Sequence, residues 1–358
     1  MLFRLSLLFL MIVLGSNCWA QPNYFKERFR FTPSDTIRGA LRQERSCFDV
    51  TFYDLDIEVD IEDKTISGTN TVHYMIKRGF NILQFDLFSN MVIDSILHQG
   101  AKIKYFRKKD AVMVDFGDVQ EKEGQRDTLK FFYHGKPNAA KNPPWDGGFV
   151  WSQDKNKNPW VGVSCEGIGA SLWWPNKDHL TDEPDSMRIS VTIDKPELSV
   201  ICNGQPRGMQ ILPNNKRRHE WFISYPINNY NVTLNIGRYI HFSDTYTSKN
   251  DSSTYPLDYY VLAYNEKKAK KHFQQVHGIL RALEKRFGSY PFRNDGYALV
   301  ETPYVGMEHQ GAIAYGNKYM RGYLGTLPVG FEFDYIILHE TGHEWFGNSL
   351  TCGDIAEM

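Results

Sequence analysis

His339 and His343 stand four residues apart in the run Tyr335-Ile336-Ile337-Leu338-His339-Glu340-Thr341-Gly342-His343-Glu344-Trp345-Phe346-Gly347-Asn348. On a helix that spacing puts both imidazoles on one face, where they can share one ion. Glu340 follows the first histidine and can reach a water on that ion, the arrangement of the H-E-x-x-H zinc motif. The expected cofactor is one Zn2+ per site, with His339 and His343 as metal ligands and Glu340 as catalytic base. Two histidines do not complete a catalytic site, which takes three protein ligands and a water. Phe331, Tyr335, Leu338, Gly342 and Trp345 recur at helical spacing as one apolar stripe, which predicts the helix. Glycine inside a helix costs about 1 kcal/mol, so close packing against Gly342 is expected.

The elements that must hold this motif are mostly strands. The 358 residues are 42% hydrophobic and 14% aromatic, with formal net charge −1. That balance has room for about two domains and argues against nucleic acid as a partner. Residues 1–20 read as a signal peptide: Arg4, an apolar run from Leu5 to Leu14, then Cys18-Trp19-Ala20. The expected location is periplasmic or extracellular. No other run reaches about 18 apolar residues, so no integral membrane segment is expected in the mature chain. Residues 21–45 are basic and read as a mobile lead-in. Cys47, Cys165, Cys202 and Cys352 could pair in an exported protein, in an order the sequence leaves open.

From Cys47 the period becomes two. Leu55, Ile57, Val59 and Ile61 alternate with Asp54, Asp56, Glu58 and Asp60, a half-buried strand with a solvated acidic face. Further strands are expected at Ile66–Ile76, Ile82–Leu87, Val112–Phe116, Leu129–Tyr133, around Ile189–Ile193 and at Tyr230–Ile240. The Pro143–Pro184 segment, with Trp145, Trp151, Trp160, Trp173 and Trp174, is too rich in Gly and Pro for regular strands. It reads as a packed loop or as the lining of a cleft. Residues 248–254 mark a boundary or an exposed hairpin. Beyond them Asn265 can cap a helix carrying Phe273, Val276, Leu280, Leu283 and Phe287 and ending at Gly288. His272 and His277 lie on it without a partner at ligand spacing, so surface or packing roles are expected. A strand, Tyr297–Glu301, and a strand-like run, Ala312–Tyr315, complete the frame.

About thirty residues before the histidine motif stands Val305-Gly306-Met307-Glu308-His309. With the two motifs in this order, the chain resembles the aminopeptidase N family of zinc peptidases, the gluzincins, which carry Gly-x-Met-Glu-Asn on an edge strand. The resemblance implies a multidomain fold. An all-β saddle or sandwich spans 46–250, and 251–358 begin an α+β thermolysin-like catalytic domain. It implies hydrolysis of peptides with a free N-terminus, with Glu308 binding the α-amino group and the backbone of Gly306 and Met307 aligning substrate. Glu166 falls near the family's glutamine for the first side chain. His309 departs from the family's asparagine. The family's third ligand, a glutamate nineteen positions beyond His343, would fall past Met358. The chain is therefore expected to be an N-terminal piece, inactive alone. Two alternatives stay open: a thermolysin-like endopeptidase, and an inactive exported β-rich binding protein.

Overall fold

The computed structural model describes residues 32–117, 122–326 and 332–354. The signal-peptide reading and Phe331 lie outside them. Among the described residues no helix is long and apolar enough to cross a membrane.

The strand Phe48–Asp60 sits in the middle of an eight-stranded sheet. It pairs antiparallel with Thr65–Ile76 and parallel with Ser186–Ile193. Its alternation works as expected: Leu55, Ile57 and Val59 are buried. On the other face Asp54 pairs with Arg188, Asp56 with Arg218 and Glu58 with Lys216. A three-stranded and a four-stranded sheet complete the β-rich region and share its apolar core.

The five-stranded sheet that follows runs Tyr239–Thr247, Thr254–Leu262, Tyr297–Glu301, Ile313–Tyr315, Gly306–Met307. Its two faces enter different cores, as the period of two dictates. Tyr260, Val300 and Ala314 join the core of the β-rich region, while Tyr259, Leu299 and Ile313 join a second core with the helices. The short strand Gly306–Met307 lies at the sheet edge and pairs only with Ala314 and Tyr315.

Several expectations are corrected. Gly148–Gln153 and Pro159–Ser164 form a regular antiparallel pair inside the Trp-rich segment, because their Gly and Pro residues fall largely at strand ends. The Tyr230–Ile240 run divides: Asn229–Asn231 is a 3-10 turn, Leu234–Gly237 joins the four-stranded sheet, and Tyr239 opens a strand of the next sheet. Of the two readings of residues 248–254, the exposed hairpin holds: residues 248–253 turn it within that sheet. The helix expected from Asn265 to Phe287 is two helices, Glu266–His272 and Val276–Phe287, joined by a 3-10 turn. Gln275 in that turn accepts from the Asp334 amide, and the Asn265 side chain bonds Glu301 instead of capping. The end of the lead-in is not mobile. Arg45 is fully buried against Asp86, and Arg38 donates to the Ile168 carbonyl. Cys47, Cys165 and Cys202 are buried and form no disulfide.

Candidate metal centre

Asp334 starts the helix Tyr335–Gly342. Its side chain accepts from the Ile336 and Ile337 amides, answering donors that the first turn leaves open. The same buried carboxylate accepts from Tyr315 and Asn317 and pairs with His272 at 2.8 Å. The cap is thereby anchored to the strand Ile313–Tyr315 and to the helix Glu266–His272.

The buried face of this helix is only partly the one expected: Trp345 is buried and Leu338 packs against the core, but other residues turn inward as well. Ile336, Ile337, Glu340, Thr341 and Glu344 are buried, whereas Tyr335 is 43% exposed. A Cβ on Gly342 would meet nothing within 4 Å, so close packing does not explain that glycine. Polar residues can face inward because they are bonded. Thr341 meets the Tyr297 hydroxyl, and Glu344 accepts from Tyr290 and from the Gly311 amide. Burial pushes the Glu344 carboxyl up to about 8.

His339 and His343 come together as the four-residue spacing requires. Their Nε2 atoms lie 3.4 Å apart. Two nitrogens at about 2.0–2.1 Å from one tetrahedral zinc would be separated by roughly 3.3 Å, so the pair fits. His343 donates from Nδ1 to the Phe346 carbonyl at 2.9 Å, which leaves Nε2 free as a donor to metal. Tyr335 stacks on His339. Glu308, Glu340 and His343 also offer one donor atom each within 4.8 Å of one another, a looser grouping beside the imidazole pair.

Glu340 is 6% exposed and accepts no hydrogen bond from a described residue. Its carboxyl is held well above the ordinary range by burial, then by the charges of Glu308 and Glu166. A Cβ on Gly306 would collide with the Glu340 carboxylate and lie 2.9 Å from Ile336, so only glycine lets the edge strand pass this closely. Glu308, 4% exposed, follows that strand. Glu166 lies beyond the end of Pro159–Ser164, whose Ser164 hydroxyl contacts the Met307 sulfur at 3.1 Å. Burial and the Glu308 charge push Glu166 up to about 7. Every site residue expected from sequence thus falls in one neighbourhood, and the Trp-rich segment does adjoin it.

Some members were not anticipated. Asn348 donates to the Glu308 carbonyl at 3.0 Å, and Asn231 donates to Asn348 at 2.7 Å. Asn231 is fully buried. Burial, then the charge of Glu308, holds the Tyr230 hydroxyl well above its ordinary pKa. His309 is fully buried with neither ring nitrogen bonded, and burial holds its pKa down to about 3. Asp334 before an apolar run was a legible cap signal. The contact of Asn231 with Asn348 had none, since it joins residues 117 positions apart.

No protein-family model matches the chain. An M1 zinc metallopeptidase from Deinococcus radiodurans superposes with a TM-score of 0.70 over 86% of this chain and 66% of its own, at 19% identity. A point mutant of that protein, bound to a Tyr-Ser-Ala substrate, gives 0.69 with the same coverage and identity. The fold is shared with M1 zinc metallopeptidases. Aminopeptidase N of Escherichia coli (strain K12) is 26% identical over 191 residues, which cover 49% of this chain and 21% of the relative. The similarity is thus at family level and low in identity, and the chain spans less than two thirds of these proteins.

Proposed function

We propose that this chain carries the metal-binding and amine-binding halves of a zinc aminopeptidase site. The observation that carries the reading is convergence: an imidazole pair at chelating distance, an unpartnered buried Glu340, and Glu308 beside an open sheet edge. His339 and His343 would hold the ion, with further donors completing the set. Bound Zn2+ supplies Lewis acidity to the scissile carbonyl and acidifies a water.

The chain's residues do the rest. Glu340 takes a proton from the attacking water and delivers it to the leaving amine. Burial and the charges of Glu308 and Glu166 raise its pKa, which favours its holding the proton it takes from water. Gly306 and Met307 present backbone groups that a peptide can join as an added strand. Glu308 accepts charge-assisted hydrogen bonds from the substrate's α-ammonium. An internal peptide segment has no ammonium to offer and would bury that carboxylate without a partner, which favours exopeptidase over endopeptidase action. Glu166 stands close enough to contact the first residue. In this reading the thermolysin-like domain opens with the five-stranded sheet, so it includes Tyr239–Thr247. Residues 1–20 would direct export, and N-terminal sequencing should find a start near Gln21.

The test is metal analysis combined with turnover of an amino-acid anilide by the intact protein. About one zinc per chain and activity that a chelator removes and zinc restores are expected. A protein that binds no zinc would leave the inactive binding module as the better reading.

A further inference from the structure

We propose that Asn348 is a positioning residue that sets the span between the proposed metal ligand His343 and the amine-binding Glu308. The proposal rests on the aminopeptidase reading above. In that reading the substrate's ammonium nitrogen and its scissile carbonyl carbon are separated only by the α-carbon, so the two sites must keep one short distance. They belong to different segments: His343 ends the helix Tyr335–Gly342, and Glu308 follows the edge strand Gly306–Met307. Glu308 and His343 nonetheless bring donor atoms within 4.8 Å of each other. Asn348 joins the two segments. Its main-chain amide donates to the His343 carbonyl at 3.1 Å, and its side-chain amide donates to the Glu308 carbonyl at 3.0 Å.

The β-rich region locks this strut. Asn231 donates to the Asn348 side-chain carbonyl at 2.7 Å, which fixes the way that amide faces. Asn203, directly after the strand Ser199–Cys202, donates to the Asn231 carbonyl and to the Gln310 carbonyl, each at 2.9 Å. Asn203 is itself set by the Thr233 amide, which donates to its side-chain oxygen at 2.8 Å. Three buried asparagines thus close a ring around the Glu308–Gln310 main chain, held on one side by the metal-site segment and on the other by the β-rich region. The anchoring goes through main-chain carbonyls. It adds no charge and takes neither oxygen of the Glu308 carboxylate, whereas a lysine or arginine on that carboxylate would compete with the substrate's ammonium.

The experiment measures leucine p-nitroanilide hydrolysis by the intact protein, with Asn348→Ala made both in wild type and in a Glu308→Ala background. Zinc content and melting temperature are read alongside. In wild type, Asn348→Ala should lower kcat/KM by about 10- to 100-fold with zinc content unchanged, because the amine anchor drifts relative to the metal ligands. In the Glu308→Ala background the same substitution should cost less than about threefold, since no anchor is left to misplace. Asn231→Ala leaves the bond to Glu308 in place but frees the Asn348 amide to turn. It should give a smaller loss with the same dependence on Glu308, and it carries the test if Asn348→Ala does not fold. Unchanged kcat/KM in both variants would overturn the proposal. So would an equal loss with and without Glu308, or a loss of zinc. If Glu308→Ala alone matches wild type, the aminopeptidase reading itself is overturned and the proposal with it, an outcome distinct from a failure confined to Asn348.

Discussion

Two acidic groupings in this molecule have opposite surroundings. Along Phe48–Asp60, Asp54, Asp56 and Glu58 each meet a cation from a neighbouring strand, Arg188, Arg218 and Lys216. Glu308 and Glu340 are buried and Glu166 is half-buried, and burial, then the charges of other carboxylates, raises Glu166 and Glu340. The first set is satisfied within the fold. The second carries charge that the fold leaves uncompensated, and burial makes such charge costly until something positive arrives. Under the proposed function, that contrast separates a solvated surface from a receptor for cations, whether metal or ammonium.

The largest effect should come from the receptor. Glu340→Gln keeps the imidazole pair and removes the base, so zinc content should hold while kcat falls by about 10²–10⁴-fold. Retained turnover would remove Glu340 from the chemistry and erase the functional side of the contrast.

Next comes His309, which is buried beside the carboxylates yet stays neutral. Its folded pKa is about 3 against an ordinary 6.5. Between these values the unfolded chain takes up a proton and the folded one does not. Stability should therefore rise with pH across that window and fall as pH drops from about 6.5 toward 3, with a limiting slope of roughly 1.4 kcal/mol per pH unit. Denaturant melts of His309→Asn over that range should show a flatter profile. An unchanged slope would mean that His309 finds a proton acceptor when folded.

A smaller effect of opposite sign belongs to Glu166, raised from 4.5 to about 7. Its folded form holds a proton more tightly than the unfolded one. The stability it contributes is full below about 4.5 and is lost as pH rises through 7. Glu166→Gln should stabilise the metal-free protein by about 1–2 kcal/mol at pH 8 after allowance for solvent screening, and by little at pH 4. The smallest effect belongs to the paired face. Arg218→Ala should cost only about 0.2–1 kcal/mol, a value set by exposure and checked by the same melts. If Arg218→Ala cost more than Glu166→Gln gains, the contrast would be reversed.

The sequence displayed the two sides of this contrast unequally. Strict alternation made the acidic face of Phe48–Asp60 readable, because a period of two is a local property. His339, Glu340 and His343 were readable for the same reason: four residues on a helix fix their geometry. Asn231 and Asn348 were not, because their contacts join segments far apart in the chain. The helix face was partly misjudged because hydrophobicity alone hid Thr341 and Glu344, which go inward once Tyr297, Tyr290 and Gly311 supply partners. The Trp-rich segment was misread since its Gly and Pro count obscured where those residues fall within Gly148–Ser164.

The central claim is that uncompensated carboxylate at Glu308 receives the substrate's N-terminal ammonium. The direct measurement is the ratio of specificity constants for one dipeptide anilide with a free N-terminus and with an N-acetyl cap, in the intact wild-type protein and in Glu308→Ala. Wild type should favour the free amine strongly. Glu308→Ala should lose most of that preference, mainly through the free-amine substrate, with zinc content unchanged. A ratio that stays the same in Glu308→Ala would contradict the account, since the carboxylate would then not be reading the N-terminus.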